Sequence, residues 1–393
     1  MNELVITNYK NSIISAVYED KQMIQVSACK KKQTACVGNI YVGRVDNIVK
    51  NINAAFVNIS DHISCYLDLS ADNNPLFVKR QSPKKISIGD ELIVQVTKDD
   101  VKTKAPVVST CFSLTGRFIA LVHGGSGVQI SKKIQKKAVR NSLKESLTPY
   151  IKDGFGLVAR TNAVQASKEE LEKEVTELLA EYEDISTKGI HQAKYTLLRQ
   201  ELPAYLVQLR DNKEPVIDKV VTNNISVHKD VEAFIEKYNS NIMLEFAEDA
   251  NDLVIRYKIN HFMDKALNRT VYLKSGATIV IDPTEALTVI DVNTGKAISG
   301  KKLNEDTFFA INMEAAKEIA AQIRLRNLSG IILVDFINLN NPENKESLKE
   351  ALKQLFKQDT VQTEVVDFTK LGLMEITRKK VYKTLVEQLD DAQ

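Results

Sequence analysis

The chain lacks any long apolar run, has few cysteines and histidines, and carries almost no net charge. Each shortage removes a class of protein. No stretch approaches the roughly eighteen apolar residues that a membrane-spanning helix needs, so no membrane span is expected. The opening MNELVITNYKNS has no basic segment followed by an apolar one, so no secretory signal is read and a cytoplasmic location is expected. The four cysteines are Cys29, Cys36, Cys65 and Cys111; none sits in a CxxC pair or near a histidine at zinc-finger spacing. Free thiols in a reducing compartment are therefore expected. The five histidines are scattered and suggest no catalytic or metal-binding cluster. A net charge of +2 neither favours nor excludes nucleic acid, because a polyanion needs a local basic face rather than a basic total. No internal repeat and no low-complexity tract is present.

What is present is the composition of a soluble globular protein, 44% hydrophobic and 26% charged, in a chain too long at 393 residues for a single core. Short β-branched runs open it: ELVITNY, SIISAVYED and KQMIQVSAC. GNIYVGRVDNIV, AAFVNI, SCYLDLS and ELIVQVTKD follow at a spacing that suggests a small closed barrel. FIALVH and GLVARTN read as strands, while KKIQKKAVRNSLKESL and SKEELEKEVTELLAEYEDISTKG read as helices, the second with a solvated charged face. PVIDKVVTN, HKDVEAFIEKYN and DANDLVIRYKINHFMDKALN mix strand and helix. In the last block, YLKSGATIVID and ALTVIDVN predict a hairpin, and EDTFFAINMEAAKEIAAQIRLRN a long amphipathic helix. GIILVDFI predicts a buried strand, and ENKESLKEALKQLF a helix started by Asn341-Pro342. QTEVVDFT and GLMEIT predict strands, and TRKKVYKTLVEQL a closing helix. Strands covered by helices imply a layered α/β unit.

Two acids stand out in that block. Residues two apart on a strand point the same way, so Asp291 and Asn293 share a face opposite Val292. Asp335 ends the strand GIILVD. If the two strands are neighbours, two carboxylates and an amide meet at one edge, and a hard divalent cation would relieve their repulsion. Oxygen ligands with phosphate completing the set suit Mg²⁺, with Mn²⁺ as an alternative. The plainer alternative is that each Asp is a strand-terminating turn residue. The GK of NTGKAIS is no P-loop, because the first glycine is missing and no Ser or Thr follows the lysine.

The runs SGATIVIDPTEALTVIDVNTGKAISGK, EAAKEIAAQIRLRNLSGIILVDFI and LGLMEITRKK strongly resemble the RNase E/G family of bacterial endoribonucleases. GNIYVGRVDNIVKNINAAFVNI is similar to that family's S1 RNA-binding domain, and DGFGLVARTN to its 5′-end sensor. The resemblance covers nearly the whole chain. It implies an α/β multidomain architecture: an RNase H-like domain at 1–35 and 211–272, interrupted by an S1 (OB) β-barrel at 36–117 and a 5′-sensor subdomain at 118–210. A DNase I-like α/β catalytic domain at 273–393 would follow. It implies Mg²⁺-dependent cleavage of single-stranded RNA to 5′-phosphate and 3′-hydroxyl ends, stimulated by a 5′-monophosphate, in RNA processing and decay. The family's catalytic acids fall on Asp291 and Asp335, which would hold the metal, and its assisting asparagine on Asn293. Its 5′-phosphate sensor falls on Arg160 and Thr161, where a guanidinium fork beside a hydroxyl suits a terminal phosphate. Its RNA-stacking aromatics fall on Phe56 and Tyr66, and its basic RNA contact on Lys104.

Two departures are visible. No cysteine lies beyond Cys111, so the family's CPxC-type zinc link between two chains is not expected, and the homodimer built on it is left open. Asn338 stands where many relatives have a second aspartate, which removes one charge near the expected metal. No small-molecule cofactor is expected. A rival reading keeps the fold as a non-catalytic RNA-binding protein; the intact Asp291, Asn293 and Asp335 argue against it. A third, a phosphoesterase acting on DNA or a small ester, is disfavoured by the S1-like block.

Overall fold

Short runs of consecutive, largely β-branched apolar residues make an antiparallel meander of the N-terminus: Asn2–Tyr9 (β1), Ser12–Glu19 (β2) and Gln22–Cys29 (β3). Asp20 and Lys21 turn the second hairpin at φ 48° and 62°, the left-handed backbone that matches strand twist in a two-residue loop. The structure is a computed structural model and describes residues 1–29, 36–70, 74–79, 85–99, 105–211, 216–238, 240–295, 304–357, 359 and 361–390. Two units are distinguished: Met1–Lys31, Ala204–Leu206 and Asn212–Gln393 form one, and Lys32–Pro203 with Val207–Asp211 the other.

The second unit begins with Ile40–Val49 (β4), Ala54–Asn58 (β5), Ser64–Asp68 (β6), Glu91–Lys98 (β7) and Val107–Ser109 (β8). They run in the order β4-β5-β6-β8-β7, and β7 pairs back onto β4, so five strands close a barrel. Closure removes the exposed edges that an open sheet of this size would present. Ala55, Val57, Cys65, Leu67, Leu92 and Val94 fill its interior.

Ser113–Thr115 (β9), Ile119–His123 (β10), Val128–Ile130 (β11) and Phe155–Ala159 (β12) make a separate four-stranded sheet in the order β11-β12-β10-β9. Lys137–Leu147 (α1) lies between β11 and β12 in sequence, and Lys168–Glu183 (α2) starts at a capping box of Ser167 and Glu170. The expected solvated face of α2 has one exception. Glu174 is buried and accepts the backbone N–H groups of Arg117, Phe118 and Ile119 at 2.6, 2.7 and 2.8 Å. Leu197–Arg199 (β13) pairs with β4, so a strand from the segment expected to form the sensor joins the barrel sheet. Ala204–Asp211 (α3) follows.

The chain then returns to the first unit. Lys219–Thr222 (β14) pairs parallel to β1, and Met243–Phe246 (β15) parallel to β14, giving the order β15-β14-β1-β2-β3. Between them runs Ile225–Lys237 (α4), capped by Asn224. Ala250–Arg256 (α5) and Ile259–Leu267 (α6) are separated by Lys258 at φ 49°. Phe262 and Met263 of α6 pack with Val5, Ile14, Tyr18 and Val26.

The other sheet of this unit has six strands: Thr270–Tyr272 (β16), Thr278–Pro283 (β17), Leu287–Asn293 (β18), Gly330–Asp335 (β19), Thr363–Phe368 (β20) and Met374–Arg378 (β21). Its order is β16-β17-β18-β19-β21-β20, with β18–β19 its parallel pair. Glu305–Leu325 (α7) makes the crossover from β18 to β19, and Pro342–Phe356 (α8) follows β19. Ile279, Ile281, Ile290, Val292, Ile332, Val334 and Ile376 form one core with Ala315, Ile319 and Ile323 of α7 and Leu348 and Leu352 of α8. The other face of the sheet shows Val289 at 38% and Ile331 at 51% exposure. The predicted hairpin, both long helices and the Asn341 cap are present as expected, the cap accepting from the Glu343 N–H at 2.9 Å. The closing helix is shorter than predicted. β21 extends to Arg378, whose guanidinium bonds Asp359, and only Leu385–Asp390 (α9) is helical, started where Thr384 and Glu387 cap each other.

Candidate functional site

The two acids are direct register partners. Parallel pairing of β18 and β19 sets Asp291 opposite Asp335, after Ile290 opposite Val334. Alternation fixes the direction of both side chains. Ile290, Val292, Ile332 and Val334 are at most 5% exposed and face the helices, so Asp291, Asn293 and Asp335 lie on the open face. Asp335 is exposed and Asp291 half-buried. Asn293 Nδ2 donates to Asp291 Oδ2 at 2.6 Å, which ties the amide to the acid on the same strand. Among the described residues no three His, Cys, Asp or Glu side chains gather as a metal-binding set, so the candidate donors here are two carboxylates and an amide.

The backbone on both sides of this row is held tightly. After Asn293, Gly295 adopts φ +50°, and a Cβ there would lie 2.5 Å from the Gly276 carbonyl oxygen. The glycine of NTGK thus serves a close backbone approach. Beyond Asp335, Ile337 is gripped by the wholly buried Asn312 of α7: Asn312 Nδ2 donates to the Ile337 carbonyl at 2.7 Å, and its Oδ1 accepts the Ile337 N–H at 3.0 Å. Glu305, in the first turn of the same helix, accepts the Asn341 N–H at 2.6 Å. That bond, the largest cause, holds its carboxyl below the usual range. One helix therefore fixes the loop that leaves Asp335 and carries the exposed Asn338. The sequence reading missed Asn312, although an amide inside the apolar stripe of FFAINMEAA was a usable signal.

On the barrel, Phe56 and Tyr66 are cross-strand partners on β5 and β6. Their rings meet edge to face, 6.4 Å between centroids at 81°, and both are half-buried. Lys104 lies outside the described residues. The row continues from Tyr66 to Val107 on β8 and from Val107 to the exposed Lys98 on β7. A register shift between Val96 and Lys98 brings that lysine into line, which no simple alternation count would reveal.

Arg160 and Thr161 follow β12 and make their contacts with different elements. Arg160 Nη1 donates to the Gly116 carbonyl at 2.5 Å and Nη2 to Asp211 Oδ1 at 2.7 Å. Thr161 is exposed, its hydroxyl 3.1 Å from that of Ser131. Gly116 itself packs against Glu174, where a Cβ would lie 2.5 Å from the carboxyl carbon. Burial pushes the Glu174 carboxyl up, although three backbone N–H groups and Arg160 oppose it. The described cysteines Cys36, Cys65 and Cys111 form no disulfide.

Fold and site together define a mixed α/β protein in which a closed five-stranded barrel, consistent with an S1-type or OB-like module, accompanies a sheet bearing paired carboxylates on its open face. Residues 113–381 match the sequence model of the Ribonuclease E/G family. The chain is 30% identical to Ribonuclease G of Salmonella typhimurium over 399 residues, covering 98% of this chain and 81% of that protein. It is 28% identical to Ribonuclease G of Haemophilus influenzae, covering 99% and 82%. It is 30% identical to Ribonuclease E of Nostoc sp., covering 96% of this chain but 56% of that longer protein. The chain belongs to the Ribonuclease E/G family. Among the described residues no helix is long and apolar enough to cross a membrane.

Proposed function

We propose that this chain is a divalent-metal-dependent endoribonuclease that cleaves single-stranded RNA to 5′-phosphate and 3′-hydroxyl ends in cytoplasmic RNA processing and decay. The observation that carries the reading is the register of Asp291 against Asp335 on the open face, with Asn293 tied to the first acid. The donor set fits a hard cation, because it offers only oxygen ligands and sets two anionic groups on adjacent strands. Asp291 and Asp335 would hold Mg²⁺, or Mn²⁺ in its place. When bound, such an ion supplies an acidified water and offsets charge on phosphate. Asn293, with one of its two amide N–H donors given to Asp291, would use the other to orient the scissile phosphate. Asn312 and Glu305 would keep the Asp335 loop in place through the reaction.

The remaining parts are read the same way. The five-stranded barrel would be the S1 module, stacking bases on Phe56 and Tyr66 with Lys98, and Lys104 of the sequence motif, neutralising phosphates. The four-stranded sheet with Arg160 and Thr161 would sense a 5′-monophosphate. The β15-β14-β1-β2-β3 sheet would be RNase H-like, and the sheet carrying Asp291 and Asp335 DNase I-like. The test is cleavage of end-labelled single-stranded RNA and matching DNA, with Mg²⁺ and with chelator. Mg²⁺-dependent cutting of RNA alone, abolished by Asp291→Asn, is expected. Binding without cutting under every condition would favour the non-catalytic reading.

A further inference from the structure

Arg160 does not present a lone cation to a 5′ phosphate. Its Nη2 donates to Asp211 Oδ1 at 2.7 Å, with the arginine side chain 19% and the aspartate side chain 22% exposed. The same oxygen accepts Arg210 Nε at 3.1 Å, and Arg210 Nη1 is bound in turn to Glu201 Oε1 at 2.8 Å. Each of these guanidinium groups thus already has a carboxylate. Asp211 is also fixed from behind. Asn162, two residues after Arg160, donates through Nδ2 to the carbonyls of Asp211 at 3.0 Å and Arg210 at 3.3 Å. The segment that carries the sensing arginine therefore also holds its counter-ion in place. A phosphate arriving at Arg160 must share the guanidinium with a fixed anion at partly buried depth, where like-charge repulsion is poorly screened.

We propose that Asp211 is a specificity-determining residue for 5′-end recognition: its carboxylate competes with the terminal phosphate for Arg160 and holds down the preference for 5′-monophosphorylated over 5′-hydroxyl RNA. The inference rests on the reading of Arg160 as the 5′ sensor. Asparagine at 211 keeps one acceptor oxygen for both arginines, exchanges the other for an N–H donor, and removes the charge. Arg160 keeps its bond to the Gly116 carbonyl, so its orientation survives the change.

The experiment compares cleavage of one oligoribonucleotide carrying either a 5′-monophosphate or a 5′-hydroxyl by the full chain. The variants are Asp211→Asn, Asp211→Ser, Arg160→Ala and the Arg160→Ala/Asp211→Asn double, each checked for its thermal midpoint. Both neutral variants at 211 are expected to raise the ratio of kcat/KM for the two substrates by about three- to tenfold, mainly through KM. Arg160→Ala and the double variant should bring the ratio to unity. Two independent neutral substitutions keep the test decisive if one of them folds poorly. If Arg160→Ala lowers the ratio while neither Asp211 variant raises it, Asp211 is only a structural partner and the inference is wrong. If Arg160→Ala leaves the ratio unchanged, the sensor reading fails and takes the inference with it.

Discussion

Replacing Asp335 by asparagine should make the protein slightly more stable without metal while destroying its activity. Asp291 and Asp335 face each other on adjacent strands. Neighbouring strands are about 4.8 Å apart, so the two carboxylates sit at about 5 Å. Unit charges at about that distance repel by about 1 kcal/mol in water and about 3 kcal/mol at an effective dielectric of about 20. Asp335 is exposed and Asp291 half-buried, so the watery limit applies, and the Asn293 hydrogen bond offsets part of the charge on Asp291. In chelator, Asp335→Asn should therefore gain about 0.5–1 kcal/mol, which is about 1–4 °C in Tm for a unit of this size. Mg²⁺ should raise the midpoint of the parent and close the gap, and it should do little for the variant, which keeps one carboxylate. The assay is thermal unfolding followed by circular dichroism in EDTA and through a Mg²⁺ titration, run beside cleavage of single-stranded RNA. A variant less stable than the parent in EDTA, or one that Mg²⁺ stabilises equally, refutes the reasoning, as does undiminished cleavage.

Other perturbations test other parts of the chain. Asn312→Ala strips both bonds from the Ile337 backbone and should lower stability by about 2–4 kcal/mol, read from the urea midpoint, with a fall in cleavage as the Asp335 loop loosens. Phe56→Ala or Tyr66→Ala should weaken single-stranded RNA binding by about 1–3 kcal/mol per lost stack, measured by fluorescence anisotropy, with little change in Tm because both rings are only half-buried. Hydrogen bonds from Arg256 and Lys219 bring the Glu245 carboxyl down to about 2. Its contribution is then present above the ordinary glutamate value of about 4.3 and fades as pH falls through that value toward the folded one. Glu245→Gln should consequently be less stable than the parent at pH 7 and match it near pH 2, as chemical unfolding across pH will report.

Period and punctuation made much of the last sheet legible. LTVIDVN and GIILVD announced strands, the Asn341-Pro342 pair announced α8, and alternation alone set Asp291 and Asn293 opposite Val292. Their meeting with Asp335 required strand adjacency, which a sequence suggests only through the crossover helix between them. The polar residues that brace the site were not legible in the same way. Glu174 and Asp211 look like ordinary solvated positions, and Asn312 shows only that an amide interrupts an apolar stripe; their roles come from partners 55 to 57, 51 and 25 residues away. Lys98 was hidden by a register shift, and the closing helix was overestimated because Arg378 is drawn into a buried ion pair with Asp359 instead. Pattern reports which face of an element is wet; it does not report which buried carbonyl or amide waits on a distant segment.

The pairing of β1 with β14 joins Glu3 to Lys219, and the second unit lies between these strands in sequence. Translation proceeds at about 5–20 residues per second, so some tens of seconds separate the emergence of these strands from the ribosome. During that interval β1 has β2 on one side and nothing on the other, and its vacant edge is open to wrong partners. The barrel and the four-stranded sheet draw on chain already made, so they can ripen first. The oldest strand, β1, thus gains its β2 neighbour early and its β14 neighbour only after the inserted chain has been made.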